Sequence, residues 1–241
     1  MASSQPVVVV TGSSRGIGRA TALELAARGV AVVGCARTVP PPAPGITDLA
    51  IDLSDPDGPR EVLAVALERT GRVDGWINNA GVLDPIGPLA AQDPVHLRHA
   101  IDVNVAATAS ASACFAAHVA GRAGGGVLIN VSSGAATSLY VGWAHYCAAK
   151  AFVDRLTEVL DLESRRDGLR AFAVAPGVVD TEMQALIRAT SVDDFPSQPR
   201  FVERFEAGAL RDPAIVGAEL ADLVLGVVVP DEVVLRLGDG R

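Results

Sequence analysis

The chain has 241 residues, 49% of them hydrophobic, a size and composition that suit one α/β domain over 1–241. Its net charge of −8 argues against a nucleic-acid or anionic-membrane surface, and its three cysteines, Cys35, Cys114 and Cys147, are spaced for neither a disulfide framework nor a zinc site. With no basic-then-apolar leader and no apolar run near the ~20 residues that a bilayer crossing needs, the expectation is a reduced, cytoplasmic protein without a membrane partner.

The first element is "PVVVVTG" (6–12), a continuous apolar run ending in glycine, as a strand buried on both faces requires. A helix follows over 17–28, with Ile17, Ala20, Leu23 and Ala27 at helical spacing and Gly29 at its end. Between them "TGSSRGIG" (11–18) places Gly12, Gly16 and Gly18 around Ser14, Arg15 and Ile17. Glycines here allow a tight turn and close backbone approach, and the free N–H groups of the helix N-terminus suit a pyrophosphate. No Gly-Lys-Ser/Thr follows, which excludes a Walker loop. The G-x-x-x-G-x-G spacing departs from G-x-G-x-x-G and resembles the short-chain dehydrogenase/reductase family.

The next strand, 30–36, ends in "GCART", with Ala36 and Arg37 where a carboxylate would take a ribose hydroxyl. A guanidinium there can grip a 2′-phosphate by a forked contact. The family resemblance implies NADP(H), read by Arg37 and Arg15. After the proline-rich loop 38–45 comes a strand over 48–53, whose Asp52 and Leu53 resemble the family's adenine-contacting pair. A helix at about 57–70 and a strand at 73–78 lead to "NNAG" (78–81). By resemblance Asn79, Ala80 and Gly81 lie beside the adenine ribose.

A long alanine-rich helix is expected over about 93–121, with His96 and His99 on one face but no third ligand, so no metal is expected. Asn104 interrupts its apolar run, and a buried amide needs partners. The resemblance gives this asparagine a kink in the helix and a water that resupplies protons to a lysine. A strand over 125–132 ends in "NVSSG". A helix over about 143–166 carries Tyr146 and Lys150, which is the only lysine beside nineteen arginines. At i and i+4 the two side chains share a face. A phenol titrates near ~10, and an adjacent ammonium favours the phenolate, bringing Tyr146 toward general acid–base work. Ser133, thirteen residues upstream, has the spacing of the family's serine and would hydrogen-bond a substrate carbonyl. Ser132 should point the other way.

A strand over 169–176 is followed by "PGVVDT" (176–181), where the resemblance gives Pro176, Gly177, Val179 and Thr181 to the nicotinamide end of the coenzyme. "GWAHYC" and "DTEMQ" narrow the likeness to the branch containing sepiapterin reductase and the microbial benzil (α-diketone) reductases. Trp143 either walls an aromatic substrate pocket or packs in the core, and Met183 opens a segment, about 182–211, expected to cover the substrate. A C-terminal acid, Asp239, is placed to anchor a substrate only if its register fits. Helical segments and a last strand, 232–237, complete the chain.

Alternation of buried strands and helices predicts a single doubly wound Rossmann-type parallel sheet with helices on both faces. The expected activity is NADPH-dependent reduction of a ketone, with a vicinal dicarbonyl as the substrate class. Alternatives are an NAD(P)-dependent secondary-alcohol dehydrogenase, a 3-oxoacyl reductase, or a non-catalytic NADP-binding regulatory protein. The resemblance also implies a homodimer or homotetramer with only small-molecule partners.

Overall fold

The computed structural model describes residues 5–120 and 122–238. The valine run forms β1 (Val7–Thr11), buried along its whole length. In chain order it is followed by α1 (Gly16–Ala27), β2 (Ala31–Ala36), β3 (Ile46–Ala50), α2 (Gly58–Thr70), β4 (Gly75–Asn78), α3 (Pro94–Ile101), α4 (Thr108–Ala120) and β5 (Gly126–Val131). Then come α5 (Ala144–Ser164), β6 (Leu169–Ala175), α6 (Glu182–Ala189), α7 (Gln198–Glu206), α8 (Pro213–Val224) and β7 (Val234–Arg236).

The strands make one seven-stranded sheet in the order β3-β2-β1-β4-β5-β6-β7, with every neighbouring pair parallel. This is the doubly wound Rossmann arrangement, and its strand order reverses beside β1, where a crevice opens at the strands' carboxyl ends. Period-two alternation divides the core. Val7 and Val9 face a cluster with Trp76, Phe115, Val119 and Leu128, whereas Val8 and Val10 face Leu25, Ile77, Ile129, Leu220 and Val224. Helices α2, α4 and α5 cover the first face, and α1 and α8 the second.

Three elements differ from expectation. β3 starts and ends earlier than 48–53, so Asp52 and Leu53 lie beyond it. The Asp52 carboxylate accepts the Ser54 N–H at 2.9 Å and the Ser54 hydroxyl at 2.8 Å, which turns the chain out of the sheet. The long helix is broken by a π-helical segment, Asp102–Ala107, between α3 and α4. There the Asn104 amide donates to the Val82 carbonyl at 2.7 Å and its oxygen accepts the Val82 N–H at 3.0 Å. A side chain tied to a neighbouring loop favours the wider turn. The last strand is only three residues long. The helical stretch Pro94–Ala120 is long and apolar enough to cross a membrane by composition, with mean hydropathy 1.3, but Ala111, Phe115 and Val119 are buried against the sheet.

Candidate active site

A cleft of about 1200 Å³ opens at the carboxyl end of the sheet. One end is built by the β1–α1 turn. Gly12 and Gly16 adopt φ of +66° and +55°, where a side chain is strained. A Cβ on Gly12 would also come within 2.9 Å of Ala80 Cα, and one on Gly18 would collide with the Gly12 carbonyl and the Asn79 amide. Gly18 is therefore a packing position and does not line the cleft. Thr11, which sequence reasoning passed over, fastens the loop after β4 to this turn. Its hydroxyl accepts the N–H groups of Asn79 and Ala80 at 2.9 and 3.0 Å. The Asn79 side chain donates back to the Thr11 carbonyl at 2.9 Å. Asp48, its side chain only 5% exposed, stands behind the turn, ion-paired with Arg19 at 3.2 Å, and Arg19 also donates to the Pro41 carbonyl at 2.6 Å. That pair fixes the proline loop beside Arg37.

Arg37 is exposed at the end of β2 and lines the cleft with Asp52 and Leu53. The Ser54 amide holds the Asp52 carboxyl below its ordinary range, with smaller help from the Ser54 hydroxyl, Arg37 and His99. Arg15, expected beside Arg37, is paired with Glu182 at the start of α6 and so bridges the cleft instead.

At the other end stand Ser133, Tyr146 and Lys150. The end of β5 splits two neighbouring hydroxyls, as alternation demands. Ser132 donates to Asp154 on α5, and Ser133 hydrogen-bonds with Tyr146 while capping the short turn Gly134–Ala136 by accepting the Ala135 N–H at 3.2 Å. Tyr146 and Lys150 share one face of α5, the ammonium lying 5.6 Å from the phenol ring centre and donating to the Val131 carbonyl at 2.8 Å. Both are buried. Burial pushes the Tyr146 phenol up to about 12 against the pull of Ser133, and pushes Lys150 down to about 8. The adjacent lysine therefore does not bring the phenol below its ordinary range in the folded chain, where desolvation dominates.

Asn104 is buried behind this group and does not line the cleft. Gly81 separates the two: a Cβ there would sit 3.1 Å from the Asn104 oxygen and 3.9 Å from the Lys150 nitrogen. Ala80, Gly81, Pro176, Gly177, Val179, Thr181 and Met183 all line the cleft, as do Ser14 and Ile17. Trp143 resolves its two readings by doing both. It is packed among core side chains, stacked on Phe195 at 4.3 Å and edge-on to Tyr146 at 5.7 Å, yet it lines the cleft with Tyr140 and Phe201. Gln184, on the same wall, keeps a buried amide oxygen without a hydrogen-bond partner. Only the DTEMQ run hinted at it. Asp239 lies outside the described residues. Among the described residues no three metal-ligating side chains come together.

The family model described as short chain dehydrogenase matches residues 6–191. A Bacillus subtilis protein named benzil reductase ((S)-benzoin forming) is 32% identical over 231 residues, covering 90% of this chain and 92% of that protein. A Saccharomyces cerevisiae protein of the same name is 31% identical, covering 98% of this chain and 97% of its own. A crystal structure of a short chain dehydrogenase/reductase from Saccharomyces cerevisiae superposes with a TM-score of 0.88 at 26% identity, over 97% of this chain and 96% of that one.

Proposed function

Because the chain belongs to the short-chain dehydrogenase family, we propose that it is a carbonyl reductase that prefers NADPH and takes ketones with a second carbonyl alongside. The observation that carries this reading is the meeting of Ser133, Tyr146 and Lys150 on the wall of the cleft that ends in the glycine turn.

The turn suits a dinucleotide. No acidic side chain stands in the first turn of α1, so its free N–H groups face an anion unopposed. Val179 and Thr181 stand on the cleft wall for the carboxamide end, and Asn79, Ala80 and Gly81 for the adenine-side ribose. Arg37 and Arg15, both on the cleft wall, are the readers of a 2′-phosphate. When bound, the coenzyme supplies hydride to the carbonyl carbon.

The chain's residues handle the oxygen. A phenol held near 12 keeps its proton at neutral pH, the form a reductase needs for donation. Tyr146 gives that proton to the carbonyl oxygen, and Ser133 donates a hydrogen bond to the same oxygen. Charge then resides on the phenolate, which the Lys150 ammonium one helical turn away favours. Asn104 supports proton return to Lys150 across the gap left open at Gly81. The aromatic wall of Tyr140, Trp143 and Phe201, with Met183, suits a flat apolar substituent. The names of the relatives support a benzil-like substrate. The segment 182–211 supplies α6 and α7 as the cover over that end.

The test is turnover of benzil, 1-phenyl-1,2-propanedione and acetophenone with NADPH or NADH, followed by loss of reduced-coenzyme absorbance. Diketone reduction with NADPH should be fastest. Coenzyme binding without turnover of any ketone would leave the non-catalytic reading.

A further inference from the structure

Lys150 is the chain's only lysine, and its buried ammonium donates to a neutral carbonyl, that of Val131, at 2.8 Å. One turn further along α5 stands Asp154, half-buried, with no part in the chemistry described above. It accepts the hydroxyl of Ser132, which is only 3% exposed. Asp154 thus ties α5 to the end of β5 from the side opposite Ser133. Its charge is also what opposes the burial that lowers Lys150. Facing Asp154 are Ser132 just after β5, Arg236 from β7, and Lys150 and Glu158 from its own helix. Facing Lys150 from the other elements are the Val131 carbonyl and, across Gly81, the Asn104 amide, neither of them charged.

We propose that Asp154 is a positioning residue for the reaction: its carboxylate stands one helical turn from Lys150 as the charge nearest to it on that helix, and its bond with Ser132 sets the strand end from which Ser133 and the Val131 carbonyl reach Tyr146 and Lys150. The inference rests on the reductase reading above. The ammonium is the working form, so activity falls as pH rises through the lysine midpoint, and lowering that midpoint brings the loss to lower pH.

A single lysine gives a readout that needs no turnover. Untagged protein grown with lysine labelled with carbon-13 at Cε shows one lysine resonance, and its titration reports Lys150 alone. Asp154→Asn keeps an oxygen for Ser132 and removes the charge. Its lysine midpoint should fall by about one pH unit, and the alkaline limb of kcat for 1-phenyl-1,2-propanedione should move with it. Asp154→Glu keeps the charge and should keep the midpoint. Ser132→Ala should leave the midpoint in place while lowering kcat about tenfold, with KM for NADPH unchanged. An unmoved midpoint in a folded Asp154→Asn protein overturns the proposal; so does a shift in Asp154→Glu equal to that in Asp154→Asn. A wild-type protein that shows the lysine titration but reduces no ketone defeats the reductase reading instead.

Discussion

An ammonium and a guanidinium carry the same charge, yet position 150 holds the one lysine in an arginine-rich chain. The site supplies the reason. The head is buried between a strand-end carbonyl and a phenol, in a space that suits a compact point charge. Lys150→Met should lower kcat by about a hundredfold or more. The same change removes a buried charge, so its Tm should be no lower than the parent's, which separates lost catalysis from lost folding. Both are read from one preparation by turnover assay and calorimetry. Arg37→Asp should weaken NADPH by tenfold or more and NADH little, in a coenzyme titration. Equal loss for both coenzymes would show that Arg37 does not read the phosphate. Residue identities such as these are legible in sequence because they rest on side-chain chemistry. Directions of pKa shift are not: the rise of Tyr146 comes from its burial, and Leu83 and Ile187, which pack in the same cluster, lie dozens of residues away in the chain.

At the scale of elements, two junctions place the chemistry. The β1–α1 turn admits no side chain at Gly18, so Gly18→Ala should displace the Gly12 carbonyl and abolish measurable coenzyme binding even where the protein folds. The π-helical segment Asp102–Ala107 presents Asn104 to Val82. Asn104→Leu leaves the backbone N–H and C=O of Val82 without these partners, at a cost of about 2 kcal/mol or more, read as a lower urea midpoint. The break in the helix escaped periodicity because a π turn keeps the same apolar residues and changes only their phase. The early end of β3 escaped it because Asp52 caps a turn through its own side chain, and apolar Ile51 and Leu53 flank it.

Across the whole molecule, the cleft joins a polar end built by the glycine turn to an aromatic end built by α5, α6 and α7. The Arg15–Glu182 pair links the two halves. Phe195, fully buried and stacked on Trp143, braces the aromatic end from the loop between α6 and α7. Phe195→Ala should cost about 3–5 kcal/mol locally and raise KM for benzil more than KM for a small diketone. Equal KM changes for both would place Phe195 in folding alone.

By itself the sequence determined the sheet's parallel character, the glycine turn, and the helix that carries Tyr146 and Lys150, since each depends on patterns within a few neighbouring residues. Only the tertiary structure decided that Arg15 turns to Glu182, that Thr11 clamps Asn79 and Ala80, and that Ser132 and Asp154 stand behind the site. Those contacts join residues 22 to 167 positions apart, and no local pattern records which distant side chain will be brought within hydrogen-bond reach.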